Sequence, residues 1–230
     1  MVIGNGMIAT RFESYGTNDA FVIFASGVSN SGNKDSSGFE REAGLIKKTI
    51  SGNPGKQFVY FSTCSIYDPS LVESDYVIHK KQMEELIISL TGHFTIFRVS
   101  NPIGNTGNPY TMLNFFIRHI MGQQELTVWQ NASRNILDLD DMYSACDKIL
   151  QDGGTAGQII NIANPSNYSV PEILLALETH FGRKGIYNFV EKGNGPMVDT
   201  SFVSRIFRQL NITFTGEYLP SLLNKYYPIA

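Results

Sequence analysis

The chain has 230 residues, of which 42% are hydrophobic and 17% charged, with a net charge of −3. That length buries a substantial core as one domain, or as one domain with a small appendage, and the composition is that of a globular protein. The mild acidity offers no basic field for nucleic acid, and no apolar run is long enough to span a bilayer.

Cys64 and Cys146 lack metal-ligand spacing and are too few for a disulfide framework. No metal site is expected, and both read as free thiols in a reducing cytoplasm. Met1-Val2-Ile3-Gly4 carries no secretory pattern, so a cytoplasmic protein is expected.

A very short apolar start runs into Gly4-Asn5-Gly6-Met7-Ile8-Ala9. This is a GxGxxA pattern between a strand and a helix, where glycines let the backbone approach a pyrophosphate at the helix N-terminus. After the turn Thr17-Asn18-Asp19, residues 20–25 read as a fully buried strand of the parallel-sheet kind. That strand ends in the small polar residues Ser26, Gly27, Ser29, Asn30, Ser31 and Gly32. Ligands of open α/β sheets bind beyond the carboxyl ends of strands, where this loop falls.

Residues 38–50 predict a helix, broken by Gly52-Asn53-Pro54-Gly55. Residues 57–61 predict another buried strand, ending in Ser62-Thr63-Cys64-Ser65-Ile66-Tyr67. An amphipathic helix follows over residues 76–91, with Met83, Leu86, Ile87 and Leu90 at helical spacing. Residues 93–99 form the next strand and run into Ser100-Asn101-Pro102-Ile103-Gly104.

Further on come a helix over 110–121, strand-like stretches at 126–129 and 134–139, and a helix to Leu150 capped by Asp140 or Asp141. The last third holds a strand at 158–163 and a Ser169/Glu172 capping box opening a helix to Phe181. It also holds a helix from Asp199-Thr200-Ser201 to Leu210 and a short one over 219–227. Strands and helices alternating at these lengths predict an α/β fold with right-handed parallel crossovers.

Tyr76 and Lys80 open the 76–91 helix one turn apart, on one face. A phenol with a pKa near 10 is a poor acid–base catalyst at neutral pH, and a neighbouring cation favours the phenolate. His79 points to a different face and reads as structural.

Taken together, these segments resemble the extended short-chain dehydrogenase/reductase family, in its nucleotide-sugar epimerase/dehydratase branch. The resemblance spans nearly the whole chain. It rests on the glycine turn, residues 22–30, the Thr63 strand end, Tyr76 to Lys80, Arg98 to Gly104, Arg134 to Asp141 and Gln158 to Glu172.

It implies a Rossmann-like parallel sheet with helices on both faces and a small C-terminal α/β substrate lobe. Residues 1–130 and part of 131–165 would bind the dinucleotide; residues 166–230 with 105–130 would form the lobe. Tyr76 would be the acid–base residue. Lys80 would hydrogen-bond the nicotinamide ribose and depress the tyrosine pKa, and Thr63 would fix the reacting oxygen. Gly4, Gly6, Met7, Ile8 and Ala9 would line the pyrophosphate turn, with Ser26 and Gly27 in the cofactor-facing loop. Asn101 and Ser65 would meet the substrate, and Arg134 its diphosphate, a role that a fixed cationic fork suits.

The chain also departs from that pattern. The two strands that the family places between the glycine turn and the strand at Phe21 are missing, and with them the residue that reads the adenosine ribose. NAD and NADP both stay open. Arg11 reads as a solvated arginine on the first helix rather than a reader of a 2′-phosphate. The Asp-Glu pair of the 4,6-dehydratases is replaced by Cys64-Ser65, which argues against dehydration.

The expected function is therefore an NAD(P)-dependent nucleotide-sugar epimerase or ketoreductase. The alternative is a catalytically silent Rossmann-fold protein that senses a dinucleotide or nucleotide-sugar. The family pattern also implies a homodimer through the helices at 38–50 and 76–91.

Overall fold

The structure, a computed structural model, describes residues 1–28, 36–106, 108–109 and 111–229. Ser29, Asn30, Ser31 and Gly32 of the strand-end loop, and Tyr110, where a helix is predicted to start, lie outside the described residues.

The chain opens with β1 (Val2–Ile3), the glycine turn and α1 (Met7–Arg11), then a 3-10 turn over Glu13–Thr17 and β2 (Phe21–Phe24). Next come α2 (Ser36–Gly52), β3 (Gln57–Thr63), a 3-10 turn over Cys64–Tyr67, α3 (Asp75–Leu90) and β4 (Phe94–Val99). The chain then leaves the main sheet through β5 (Asn101–Ile103), α4 (Met112–Gly122), β6 (Glu125–Trp129), β7 (Ser133–Arg134) and β8 (Ile136–Asp138). It returns through α5 (Leu139–Asp152) and β9 (Gln158–Ile162) and ends with β10 (Tyr168–Ser169), α6 (Val170–Phe181), β11 (Ile186–Val190), α7 (Ser201–Gln209) and α8 (Tyr218–Tyr226).

The main sheet has the order β1-β2-β3-β4-β9 and is parallel throughout. Its register aligns Val22 with Phe58, Phe58 with Phe94, and Thr95 with Gln158. Strand side chains alternate between faces, and both faces are covered, which explains the unbroken apolar runs.

On one face Ile23, Val59, Phe97 and Val99 pack with Met142, Ala145 and Ile149 of α5 and with Val203 and Phe207 of α7. On the other, Val22, Phe24, Phe58, Tyr60 and Ile96 meet Ile46 of α2 and Met83 and Ile87 of α3. Each fully buried side chain of this size contributes about 1.5–3 kcal/mol of transfer free energy. This second face matters for the site, because it fixes α2 and α3 side by side over β3.

A third core gathers Leu113 and Ile120 of α4, Val128 of β6, Ile173 and Leu177 of α6, and Leu222 of α8. It builds up from the excursion that begins at the carboxyl end of β4.

The expected lack of two strands is visible in the topology. β1 lies at the sheet edge and pairs with β2 alone among the described strands. Residues 4–20 are taken up by the glycine turn, α1 and the 3-10 turn, which leaves no length for a further strand–helix unit.

Two elements differ from the sequence reading. β11, which pairs in parallel with β6, was not expected. Its apolar residues Ile186 and Phe189 face solvent, so the segment shows none of the buried periodicity that marks the other strands. And α5 is capped by Asp138, not by Asp140 or Asp141: its side chain accepts the Asp140 N–H at 2.8 Å, two or three residues earlier than the charge pattern implied.

Asp138 also accepts the Lys225 ammonium at 2.8 Å and the Tyr226 hydroxyl at 2.7 Å, which fastens α8 to the start of α5. Asp138→Ala removes a cap and two tertiary bonds and is expected to cost about 2 kcal/mol or more. Asp140→Ala, at an exposed bridge, is expected to cost less than about 1 kcal/mol. Denaturant midpoints of the two variants check the order.

Candidate active site at the strand ends

The first glycine of the turn has a structural reason to be glycine. Gly4 has φ +131°, and a Cβ there would stand 2.4 Å from the Ala25 carbonyl oxygen at the end of β2. Gly6, the N-cap of α1, faces open space, since a Cβ on it would meet nothing within 4 Å. Bare backbone at a helix start beside an open face is what a pyrophosphate requires. Met7 and Ile8 are half-buried and Ala9 is buried, and Met7 and Ile8 pack against the core beneath the sheet.

Arg11 is partly exposed but engaged rather than free. It donates to Asp140 at 2.5 Å and lies over the Tyr143 ring, 3.8 Å from its centroid.

Thr63 ends β3 and caps the 3-10 turn, its Oγ1 accepting the Ser65 N–H at 3.0 Å. With that lone pair engaged, the hydroxyl is available to Tyr76, whose ionised form it favours. Tyr76 sits in the first turn of α3, whose N-cap Ser74 accepts the Val77 N–H. The strand end and the helix start thus bring Thr63 and Tyr76 together.

The expected effect of Lys80 on the phenol is not seen. Burial pushes Tyr76 up to about 12, with the Thr63 hydroxyl pulling down and the Glu42 charge pushing up. The Lys80 ammonium, meanwhile, is engaged by other partners. Lys80, 3% exposed, donates to the Tyr60 hydroxyl at 2.9 Å and to Glu42 Oε1 at 3.2 Å. A carboxylate close to the cation cancels its field at the phenol. An ammonium carries three donors, and Lys80 spends two of them on these described partners.

Glu42 is the residue that the sequence reading missed. It is 0% exposed. Its carboxylate accepts the Val28 N–H at 2.7 Å, the Tyr60 hydroxyl at 2.6 Å, the Lys80 ammonium, and at 2.9 Å a bond from His79 Nε2. Burial alone would raise its pKa; His79, Lys80, Tyr60 and the Val28 N–H together hold it at about 2. His79, stacked on Phe39 at 4.2 Å, is structural in this sense, buried and tied to Glu42. A signal was present: Glu42 occupies the stripe of Ile46 and Thr49 at i+4 and i+7, so it lies on the inward face of α2.

Gly27 closes the arrangement from the other side. A Cβ there would stand 2.5 Å from Lys80 Nζ and 2.8 Å from Glu42 Oε1. Its neighbour Ser26 is held by Arg41, which donates to the Ser26 carbonyl at 3.2 Å.

A second buried network lies beside the first. Glu84 accepts from Ser62 Oγ at 2.5 Å and from the Arg98 guanidinium, whose Nη1 donates to the Tyr67 hydroxyl at 2.8 Å. Tyr67 in turn donates to Asn161 at 3.0 Å.

The expected substrate residues are more dispersed. Ser65 is half-buried behind Thr63. Asn101 is exposed and uses its amide to hold the Asn135 carbonyl at 2.8 Å. Arg134 pairs with Asp68 at 3.5 Å and stays partly exposed. Beyond β5 lies an open cleft of about 430 Å³ lined by Gly104, Asn105, Thr106, Tyr226 and Tyr227. Cys64 gives its thiol to the Arg98 carbonyl, and burial raises its pKa to about 12. Among the described residues no group of three or more His, Cys, Asp or Glu side chains is placed to hold a metal ion, and no helix is long and apolar enough to cross a membrane.

A parallel sheet with helices on both faces, a glycine turn after its first strand and a Thr–Tyr–Lys constellation at its strand ends define a Rossmann-type α/β protein. The family model for the NAD dependent epimerase/dehydratase family matches residues 43–163, and the chain belongs to that family.

Among solved structures, UDP-glucuronic acid 4-epimerase from Bacillus cereus, crystallised with UDP-glucuronic acid and NAD, is 18% identical with a TM-score of 0.71, the match covering 92% of this chain and 75% of that one. RMD from Pseudomonas aeruginosa, complexed with NADPH, is 16% identical with a TM-score of 0.70, covering 96% and 93%. The dTDP-glucose 4,6-dehydratase from Bacillus anthracis, with NAD, is 14% identical with a TM-score of 0.67, covering 88% and 71%. At these identities the likeness is one of fold. Among curated proteins no sequence matches the chain.

The two shifted groups act at opposite ends of the pH scale. Glu42 has a folded pKa of about 2 against 4.5 for an ordinary carboxylate, so on acidification the unfolded chain takes up the proton first. Its stabilisation is whole above about pH 4.5 and is lost as pH falls towards 2. Tyr76, raised from 10, contributes fully below pH 10 and loses that contribution as pH rises through about 12. Urea unfolding at pH 3 and pH 6 is expected to show a smaller acid loss in Glu42→Gln than in the native chain, because the variant lacks the group that titrates.

Proposed function

We propose that the chain is an oxidoreductase of nucleotide-sugars that works with NAD or NADP, as an epimerase or a ketoreductase. The observation that carries this reading is Thr63 at the end of β3, beside Tyr76 in the first turn of α3, with Lys80 one turn further on. Gly4, Gly6, Met7, Ile8 and Ala9 would hold the pyrophosphate, with Ser26 and Gly27 beside it. The remaining Lys80 proton would meet the nicotinamide ribose. The bound nicotinamide would supply the hydride acceptor or donor.

Tyr76 then moves the proton. With its pKa raised to about 12 it is a phenol at neutral pH, so it is set to donate to a keto oxygen, with Thr63 fixing that oxygen. This protonation state suits the reductive direction, which both a ketoreductase and the second half of an epimerase cycle use. The buried Cys64 thiol and Ser65 supply no carboxylic acid or carboxylate next to Thr63, which speaks against 4,6-dehydration. The substrate class is taken from relatives such as the Bacillus cereus enzyme crystallised with UDP-glucuronic acid. Arg134, Asn101, Ser65 and the cleft beside Tyr226 and Tyr227 are where the sugar and its diphosphate would lie.

The edge position of β1 favours a second reading, in which the chain has given up turnover and only senses a dinucleotide or nucleotide-sugar. A calorimetric titration with NAD, NADH, NADP and NADPH separates the two. Saturable binding of one oxidised/reduced pair, with turnover on a nucleotide-sugar panel that falls about 10²–10⁴-fold in Tyr76→Phe while coenzyme affinity is kept, is the expected result. Binding without turnover in the native chain selects the sensor, and binding of none of the four overturns the oxidoreductase.

A homodimer through α2 and α3 belongs to the same proposal, with Ile78, Ile88 and Leu90 as the exposed apolar residues of α3. Sedimentation showing only monomer at micromolar concentrations would exclude it.

A further inference from the structure

We propose that Glu42 is a positioning residue for the Tyr76–Lys80 pair: its buried carboxylate keeps Lys80 charged and pins the ammonium beneath the Gly27–Val28 backbone. This deepens the oxidoreductase reading and rests on it for the functional role of Lys80.

The geometry leaves the ammonium few alternatives. Lys80 lies on α3 with its nitrogen between Tyr60 of β3 and Glu42 of α2, out of contact with water. A cation in such a place either has a counterion or loses its proton. The charged and titratable groups around it are Glu42 from α2, Tyr60 from β3, Tyr76, His79 and Glu84 from α3, and Arg98 from β4. Glu84 is held by the Arg98 guanidinium in a multidentate pair, its oxygens 2.5 to 3.2 Å from the guanidinium nitrogens. Glu42 is therefore the carboxylate in direct contact with Lys80. Burial lowers the lysine pKa, and the charge and hydrogen bond of Glu42 are the first influences that oppose this.

The same carboxylate takes the Val28 N–H, and Gly27 has no room for a side chain against the pair. One group thus sets the charge of Lys80, its location and the height of the loop above it. Charge and position are linked: removing the carboxylate discharges the lysine and releases the loop together.

The test reads Lys80 directly. The full chain is labelled with [13Cε]lysine, and its ten lysines are followed by NMR from pH 6 to 11, with the Lys80 signal assigned by its absence in Lys80→Met. In the native chain Lys80 is expected to stay charged at pH 7.5. In Glu42→Gln it is expected to lose its proton at a pH lower by two units or more, a hundredfold change in the ionisation constant. Glu42→Asp, which keeps the charge, is expected to recover most of that shift, whereas a purely structural role for Glu42 predicts unfolding without a change in titration. An unchanged Lys80 titration in folded Glu42→Gln overturns the proposal. A native Lys80 already neutral at pH 7.5 also overturns it, and that arm stands even if Glu42→Gln does not fold.

Where coenzyme turnover is measurable, Glu42→Gln is expected to lower kcat and move its alkaline limb downwards more than it changes KM. Absence of turnover in the native chain would count against the oxidoreductase reading and leave the Lys80 titration to decide the role of Glu42.

Discussion

A carboxylate removed from water survives as an anion only if donors surround it, and the arrangement at the strand ends follows from that requirement at Glu42. Its four donors come from the loop after β2, from β3 and from two adjacent residues of α3. Satisfying one buried charge therefore fixes the distance between α2 and α3, the depth of Lys80 and the path of the backbone at Gly27. The apolar contacts of Ile46, Met83 and Ile87 bring the two helices over the sheet, but apolar packing has no direction and would tolerate sliding. The polar contacts have direction and select one alignment. Their price is chemical. The cation that a Tyr–Lys pair offers to its phenol is here answered by a carboxylate, and burial with the Glu42 charge holds the Tyr76 phenol above its ordinary pKa.

Much of the fold was legible in the sequence, because parallel strands covered on both faces must be apolar along their whole length. Residues 20–25 and 58–61 carry that pattern, residues 93–99 carry it apart from His93, Thr95 and Arg98, and all three are central strands. The Ser169/Glu172 box was legible for a similar reason: two reciprocal hydrogen bonds need those residue types at that spacing. β11 was not, because its pairing with β6 uses backbone groups while its side chains stay wet. The cap of α5 was misplaced by two or three residues, because three aspartates stand close together and only tertiary contacts such as that of Tyr226 distinguish Asp138.

The site divides in the same manner. Gly4, Tyr76 and Lys80 could be picked out by type and spacing along the chain, and Thr63 by the family resemblance. Glu42 could not be assigned a partner that way, since its contacts lie 14 to 38 residues distant. Burial raises the Tyr76 pKa first and the Glu42 charge adds to it, and neither is visible in the spacing of Tyr76 and Lys80. Spacing on α3 places the cation near the phenol, but the carboxylate that offsets it belongs to another helix. The pairing of Arg11 with Asp140, 129 residues later, was hidden by the same separation.

The hydrogen bond from Tyr67 to Asn161 joins residues 94 positions apart, and it bears on the order in which the protein assembles. Asn161 lies on β9, the last strand to join the main sheet, and its register places it opposite Arg98, which itself holds Tyr67. The neighbouring strands β4 and β9 are separated by the whole excursion that builds the third core. Pairings of such long sequence separation form late and slowly, because the loop-closure entropy must be met before the contacts form. The Tyr67–Asn161 bond can therefore form only once β9 is paired with β4, and until then the Thr63–Tyr67 strand end lacks that tie.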